Sequence, residues 1–233
     1  MLPLKDNVPI RRFPILTVAL IVANFLVFIL WQGAGTGQAF RNSLLDGAYF
    51  PCEVEGSCQG PGWSWPVNLF TSMFMHASWG HILGNMLFLW IFGNNVEDTL
   101  GRVRFLVFYL AGGVAATAVQ SFVTLGYGVA ADARVPNLGA SGAISAVLGA
   151  YFLLVPHGRV LTLVLPFFIF EVPAVVFLGI YFLYQLIIGG YSFVQPEAGG
   201  GVAYFAHLGG IAFGLLTIKL FAAGRPRPLR PSY

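Results

Sequence analysis

The sequence predicts an all-α membrane protein folded as a bundle of six transmembrane helices. Of its 233 residues, 57% are hydrophobic and only 9% are charged, whereas a soluble domain carries about 45–50% apolar and about 25% charged residues. So few charged side chains cannot cover a soluble surface. Disordered, coiled-coil, collagenous and disulfide-rich secreted proteins are excluded. Nucleic-acid binding is not expected either, because the net charge of +3 comes from scattered basic residues.

Six stretches approach the roughly 20 mostly apolar residues that a transmembrane helix needs. They are 13–31, 79–93, 105–123, 138–155, 172–189 and 202–221. The second and fourth are the weakest by hydropathy, because each has polar residues near its start. Prolines fall in or beside the intervening loops. Since no linker is long enough to separate domains, residues 1–233 are expected to form one transmembrane domain. It has short tails at about 1–12 and 222–233 and a long loop at about 33–66.

The basic residues predict the orientation of this bundle. With the N-terminus in the cytoplasm, ten of the 12 Lys and Arg residues fall on the cytoplasmic side, and only Arg41 and Arg134 fall outside. Because basic residues concentrate in cytoplasmic loops, both termini are expected to be cytoplasmic. The alternative of a cleaved signal peptide at 13–31 is disfavoured, since this run is long for such a peptide and five further spans follow.

Cys52 and Cys58 lie six positions apart in the long outer loop. In an oxidising compartment this spacing favours a local disulfide that braces the loop. Two free thiols are the alternative. A zinc site is not expected there, because the loop contains no histidine.

Polar residues occur near the starts of the second, fourth and sixth stretches, which all enter the membrane from the outer side. They are His76, His81, Asn85, Ser141 and His207. Ser141 is about five residues past Pro136 and His207 about five past Val202, so at about 1.5 Å of rise per residue each is expected roughly 7–8 Å into the membrane. His81 and Asn85 are one turn apart and face the same way. Because burying polar side chains in a bilayer is costly, this set indicates function.

Small residues recur at every fourth position along two of these stretches. The members are Ser141, Ser145 and Gly149 in the fourth stretch and Ala206, Gly210 and Gly214 in the sixth. Such stripes let two helix backbones approach closely, and if they face each other, His207 comes near Ser141. Helix packing alone is the alternative explanation, and the convergence of polar residues from three stretches argues against it.

A serine and a histidine at one depth predict nucleophilic catalysis. His207 can take the proton of the Ser141 hydroxyl and later protonate a leaving amine. The backbone N–H of Ser141, together with His81 and Asn85, can stabilise an oxyanion. Since no Asp or Glu lies at this depth, we expect a Ser–His dyad whose imidazole is oriented by aromatic or backbone contacts. No zinc motif, phosphate loop or dinucleotide fingerprint is present, so neither a metal nor a cofactor is expected.

These residues resemble the motifs of the rhomboid family of intramembrane serine proteases. G-A-S-G at 139–142 is similar to the family's G-x-S-G nucleophile motif, and A-H-L-G-G-I-A-F-G at 206–214 is similar to the motif of its catalytic histidine. The resemblance extends over about 13–221, including a turn at 93–101 with Glu97 in the usual acidic position. By this resemblance the nucleophile is Ser141 and the base His207, with His81 and Asn85 as oxyanion donors and His76, Gly139 and Gly142 in supporting positions.

Two features depart from the family pattern. Ser145 stands where the family often has an aromatic residue that stacks on the histidine, so that contact is absent or supplied from elsewhere. The first loop has Trp63 and Trp65 but lacks the Trp–Arg pair of many bacterial members.

The resemblance implies cleavage of transmembrane protein substrates near the outer face of the bilayer. Gly, Ala or Pro is expected near the cut, because an intact helix hides its carbonyls in internal hydrogen bonds. A multi-pass protein of the bacterial inner (plasma) membrane is expected. The alternatives are a catalytically inactive relative that binds transmembrane clients and a six-span transporter.

Overall fold

The computed structural model describes residues 1–58, 62–128, 132–164, 168–194 and 203–230. Within these residues the chain forms ten α-helices and three β-strands. The helices are α1 (Ile15–Leu26), α2 (Gly37–Gly47), α3 (Pro51–Val54), α4 (Trp65–Thr71), α5 (Trp79–Phe88), α6 (Asn94–Leu100), α7 (Arg102–Tyr127), α8 (Ser141–Leu154), α9 (Ala174–Val194) and α10 (Tyr204–Phe221). The strands are β1 (Leu2–Asp6), β2 (Arg159–Val164) and β3 (Phe168–Pro173).

The protein is mainly helical, and each of the six predicted stretches contains a helix. In the described part of the chain, three helices are long and apolar enough to cross a membrane: α7, residues Ala174–Tyr191 of α9, and α10. The helix over Ile15–Trp31 and α8 are shorter and apolar. Two π-helical segments, Val27–Trp31 and Leu89–Gly93, extend α1 and join α5 to α6. Residue 202, the predicted start of the last stretch, lies outside the described residues.

A small antiparallel sheet shows that the all-α prediction is wrong for one part of the chain. β2 and β3 form a hairpin in which Arg159 lies opposite Pro173, and β1 pairs with the other edge of β2, with Asp6 opposite Val160. The predicted N-terminal tail and the predicted loop between the fourth and fifth helices therefore contain strands. The fifth helix also begins at Ala174 rather than at 172, because Val172 and Pro173 belong to β3.

Helix α8 lies at the centre of the bundle. Every residue from Gly142 to Tyr151 is buried, as expected for a helix that is apolar all round. α7 and α10 pack against it. A Cβ at Gly210 of α10 would lie 2.2 Å from the Gly142 carbonyl oxygen, and one at Gly214 would lie 2.2 Å from that of Ala146. Glycine is therefore required at both positions, and the two small-residue stripes do face each other.

A buried carboxylate joins α6 to the start of α1. Glu97 is 4% exposed, and it accepts hydrogen bonds from the backbone N–H of Leu16 at 3.0 Å and of Thr17 at 2.7 Å. The Thr17 hydroxyl donates to it as well, at 2.8 Å. Backbone N–H groups in the first turn of a helix have no intrahelical acceptor, and a negative charge is favourable there. Glu97 thus caps α1 from a distant part of the chain.

Cys52 and Cys58 are joined by a disulfide, with an S–S distance of 1.99 Å. The bridge links Cys52 in α3 to Cys58, which lies beyond the end of that helix. It braces the connection between α2 and α4, where the sequence left open a disulfide or two free thiols.

Candidate active site

Ser141 and His207 lie in direct contact between two packed helices. Ser141 is the first residue of α8 and His207 is the fourth of α10. The distance from Ser141 Oγ to His207 Nε2 is 2.8 Å, which is a normal hydrogen-bond length. His207 is 9% exposed, so the imidazole is held away from bulk water.

The glycines of the two helices explain why these side chains meet. Because Gly210 and Gly214 let α10 approach the backbone of α8, the first turns of both helices lie side by side. On the other side of α8, a Cβ at Gly142 would lie 2.6 Å from the Ala116 Cβ of α7. α8 is therefore held between α7 and α10 directly after its nucleophile candidate.

The second ring nitrogen of His207 bonds to a residue that the sequence analysis did not assign to the site. His207 Nδ1 lies 2.8 Å from Gln185 Oε1 on α9. A carbonyl oxygen can only accept, so Nδ1 carries the proton and Nε2 is left to accept from the Ser141 hydroxyl. Aromatic or backbone contacts were expected to orient the imidazole. The Tyr204 ring does lie edge-on to it, at a centroid distance of 6.4 Å, and the side-chain amide of Gln185, which was not expected, bonds to Nδ1.

Three residues around α5 form a connected polar group. His76 is fully buried, and its Nε2 accepts a hydrogen bond from Asn85 Nδ2 at 2.9 Å. The rings of His76 and His81 are 5.0 Å apart at an angle of 72°. Gln32 holds the backbone of His76, since its Oε1 accepts from the His76 N–H at 2.8 Å and its Nε2 donates to the His76 carbonyl at 3.1 Å. His76 therefore contacts both Asn85 and His81 and does not line the cavity that Ser141 faces.

Gly139 forms the tight turn that brings Ser141 next to His81. Its φ is +127°, a conformation that favours glycine, and a Cβ there would lie 2.9 Å from the His81 ring. Its N–H donates to the Ser72 carbonyl at 2.9 Å. Only a residue without a side chain fits this position, which accounts for the first glycine of the G-A-S-G motif.

The polar residues line one cavity of about 680 Å³. Ser141, His207, His81 and Asn85 all face it. Its apolar wall is contributed by Phe40 and Leu44 of α2, Phe88 of α5, Ile144 of α8 and Tyr181 of α9. A cavity with an apolar wall and a few convergent polar groups is the usual form of a small-molecule or peptide site.

Ser145 lies one turn after Ser141 and points into the bundle. It is fully buried. Within the described residues, no atom meets the criteria for a hydrogen bond to its hydroxyl. The Tyr181 hydroxyl of α9 is close enough for a weaker electrostatic interaction. If Gly210 carried a Cβ, that atom would lie 3.0 Å from the Ser145 Cβ. Ser145 is thus a small packing residue between α8 and α10, and it does not line the cavity.

Three glutamines hold parts of the site that the sequence analysis did not connect to it. Gln185 bonds to the imidazole and Gln32 to the His76 backbone, and Gln120 of α7 accepts from the Ala206 N–H at 3.1 Å. For Gln120 and Gln185 the one available signal was their presence in otherwise apolar helices, where a buried amide needs a partner; Gln32 lies just after the helical segment that ends at Trp31. Within the described residues, no group of three or more His, Cys, Asp or Glu side chains is arranged to hold a metal ion.

A family model and several known proteins are similar to this chain. A family model described as the Rhomboid domain matches residues 63–224. The human presenilin-associated rhomboid-like protein, mitochondrial, is 32% identical over 198 residues, which is 84% of this chain and 45% of that protein. RHOMBOID-like protein 12, mitochondrial, of Arabidopsis thaliana is 30% identical over 220 residues, 90% of this chain and 59% of that protein. Rhomboid protein 1, mitochondrial, of Saccharomyces cerevisiae is 29% identical over 204 residues, 86% of this chain and 51% of that protein.

Two facts follow from these matches. The chain spans about half the length of the curated relatives it matches. In addition, all of these relatives carry a mitochondrial designation. The predicted location in a bacterial inner (plasma) membrane is therefore contradicted. That prediction was drawn from chain size and span number, and neither distinguishes one membrane from another.

Proposed function

The chain belongs to the rhomboid family, and we propose that it is an intramembrane serine endopeptidase that cleaves transmembrane segments of membrane proteins. The observation that carries the proposal is the 2.8 Å contact between Ser141 Oγ and His207 Nε2 at the wall of a cavity that His81 and Asn85 also line. A nucleophile, a base and candidate oxyanion donors in one cavity are the parts that acyl transfer needs.

In the first step, Ser141 Oγ attacks the carbonyl carbon of the scissile peptide bond, and its proton passes to His207 Nε2. The resulting tetrahedral intermediate carries a negative oxygen. When the C–N bond breaks, His207 returns the proton to the leaving amine, and the acyl group remains bound to Ser141 as an ester. His207 then takes a proton from water, the hydroxide attacks the ester carbon, and Ser141 Oγ recovers its proton as the acid is released.

The donors for the negative oxygen come from two helices. The Ser141 N–H is the first backbone N–H group of α8. The N–H groups in the first turn of a helix have no intrahelical acceptor. The positive end of the helix dipole adds to their effect. Asn85 uses one amide N–H to bond to His76, which leaves its second N–H for the substrate oxygen. His81 lines the same cavity from one turn earlier on α5.

The substrate must present an unwound segment to this cavity. In a transmembrane helix every carbonyl inside the span is bonded within the helix, so Ser141 cannot attack until a turn has opened. Gly or Pro near the cut would ease that opening, because both are poor helix formers. The apolar wall and the polar end of the cavity suit such an extended apolar peptide.

The wider setting is part of the same proposal. Residues 1–233 form one transmembrane domain that crosses the bilayer six times, with both termini on the face opposite the candidate active site. The names of the relatives support a mitochondrial membrane as the location. Transmembrane proteins are the substrates, and the lipid bilayer surrounds the bundle.

A covalent probe tests the proposal directly. The full chain in liposomes is treated with a fluorophosphonate and, separately, given a model transmembrane substrate that contains Gly and Ala. We expect labelling and cleavage by the wild type, neither by Ser141→Ala, and no cleavage by His207→Ala. Ser145→Ala is the matched control, because it removes a second hydroxyl from the same helix, and it should keep both activities.

Other outcomes would contradict the proposal. A wild-type protein that unfolds cooperatively but shows neither labelling nor cleavage would favour a catalytically inactive relative. Solute flux into the liposomes would favour a transporter. An adduct on Ser145 would show that the wrong serine was assigned.

A further inference from the structure

Gln185 is a buried amide on a helix that is otherwise largely exposed. It is 4% exposed, whereas its neighbours Tyr184 and Leu186 are 53% and 59% exposed. α9 is therefore turned so that its amide enters the bundle while the residues on either side face outward. An amide buried in a membrane helix is costly unless it is hydrogen-bonded, and the partner here is His207 Nδ1 at 2.8 Å.

We propose that Gln185 is a positioning residue that holds His207 in the tautomer and orientation needed to accept the Ser141 proton. This inference rests on the proposed function and extends the dyad by a third member. Because Gln185 Oε1 accepts from Nδ1–H, Nε2 has a free lone pair directed at Ser141 Oγ. Without this acceptor the imidazole is free to rotate, or to carry its proton on Nε2. A protonated Nε2 cannot accept the proton of Ser141.

If Gln185 had a purely structural role, a different result would be expected. Amide bonds between membrane helices also stabilise helix packing, and losing one would lower stability without changing the chemistry of the imidazole. Gln120→Leu is the matched control, because Gln120 bonds to the same helix, α10, through the Ala206 backbone rather than through the ring.

The test compares kcat, KM and the pH profile of cleavage for Gln185→Leu, Gln185→Glu and Gln120→Leu. For Gln185→Leu we expect kcat to fall about tenfold or more, the equivalent of one hydrogen bond, with KM unchanged. Gln185→Glu should restore kcat and move the acid limb of the profile to higher pH, because a carboxylate stabilises the imidazolium. Within the described residues, the titratable side chains that share the cavity with His207 or contact its ring are His81 on α5, Tyr181 on α9 and Tyr204 on α10, and they are the same in all variants.

The outcomes separate the two roles. Gln120→Leu should lower the unfolding temperature and leave the acid limb in place. Wild-type kcat in Gln185→Leu would overturn the inference, as would an acid limb that does not move in Gln185→Glu. The second result remains decisive even if Gln185→Leu fails to fold. A wild type that does not react with the probe would instead refute the proposed function.

A second site lies at the opposite ends of α8 and α10 from Ser141 and His207. A cavity of about 710 Å³ is lined there by apolar residues of both helix ends and by the segment after α10. Its basic members are Lys219, Arg225, Arg227, Arg230 and His157. No carboxylate lines it within the described residues, and the ion pairs described elsewhere in the chain do not involve these four Lys and Arg side chains.

We infer that this cavity binds the headgroup of an anionic phospholipid. α10 is long and apolar enough to cross a membrane, so Lys219 near its end lies at the level of the headgroups. Apolar residues such as Leu153 and Ile218 line the same cavity, which suits a ligand that combines a phosphate with acyl chains. Basic pockets between transmembrane helices are known to bind such headgroups. The Arg11 guanidinium donates to the Arg227 carbonyl, which holds the basic segment against the bundle.

Thermal unfolding in detergent with added lipid tests this site. Phosphatidylglycerol should raise the unfolding temperature of the wild type, whereas phosphatidylcholine and inorganic phosphate should not. The variant with Lys219, Arg225, Arg227 and Arg230 all changed to Gln should lose the effect. The control Arg41→Gln/Arg134→Gln, which removes basic residues from the other end of the bundle, should keep it. Equal effects of the two lipids, a full effect of phosphate alone, or equal losses in both variants would each overturn the inference.

Discussion

Substituting Gly210 by Ala tests whether the close packing of α8 and α10 creates the candidate active site. A Cβ at this position would lie 2.2 Å from the Gly142 carbonyl oxygen and 3.1 Å from the Ala146 nitrogen. Both are backbone atoms of α8, so no side-chain rotation can relieve the contact. To reach even 3.0 Å, the two helices must separate locally by about 0.8 Å.

The cost can be worked out from this displacement. Overpacking a well-packed core costs typically 1–3 kcal/mol, and a backbone obstacle places Gly210→Ala near the upper end of that range. Alanine regains roughly 1 kcal/mol over glycine in a helix, which leaves a net loss of about 2 kcal/mol. His207 lies one turn before Gly210, so the separation also lengthens its contact with Ser141. A misplacement of about 1 Å can cost roughly 10²-fold in rate.

The assay measures both quantities in the same preparation. Thermal unfolding in detergent reports stability, and cleavage of a transmembrane substrate reports the rate. Gly179→Ala in α9 is the matched control, since a Cβ there meets no atom within 4 Å, and it should be neutral or slightly stabilising. If Gly210→Ala unfolds at the temperature of Gly179→Ala and cleaves at the same rate, the argument from helix separation is wrong.

Three further substitutions test other parts of the molecule. Asn85→Ala should reduce the cleavage rate by about 10²–10³-fold, the cost of one oxyanion donor, and an unchanged rate would remove Asn85 from that role. Glu97→Gln should lower the free energy of unfolding by about 1–3 kcal/mol, because it places an amide N–H against the donors of α1; Glu171→Gln, on the exposed pair with Arg159, is the control and should change little. Burial raises the pKa of Asp6 from 3.8 to about 6, so the folded protein holds this proton more tightly. Its contribution to stability is therefore full below about pH 4 and is lost as the pH rises to about 6. Asp6→Asn keeps an oxygen for the hydrogen bonds from Tyr151 and Asn95. The unfolding temperature of this variant should depend less on pH between pH 4 and pH 7 than that of the wild type, which thermal melts would reveal.

The helices and the candidate nucleophile and base could be predicted from the sequence because their signals are local. An apolar run identifies a membrane helix from its own residues. Small residues at every fourth position likewise identify a face that packs closely. From those two signals α8 and α10 were expected to meet near Ser141 and His207, and the two side chains do lie at hydrogen-bond distance.

The glutamine contacts could not be predicted because they depend on how each helix is rotated. Gln185 lies in a helix that is apolar on all sides, so its sequence does not show which face enters the bundle. The structure turns that face toward His207 Nδ1. The same limit applies to Gln32 and Gln120, which bond to backbone atoms that no sequence motif marks. The sheet was not predicted for a similar reason, since β1 pairs with β2, a strand that is distant from it in the sequence.

Helix packing and the proposed catalysis both require α10 to lie close to α8. This helix is buried along nearly its whole length, and its small residues let α7 and α10 approach from both sides. The same close approach sets the distance between Ser141 and His207, so a substitution that moves α10 by a fraction of an ångström affects a hydrogen bond before it exposes the core. Activity should therefore fall earlier than stability as the α8–α10 contact is loosened. Residues such as Gly142 and Gly210 are thus constrained by the proposed reaction as much as by the fold.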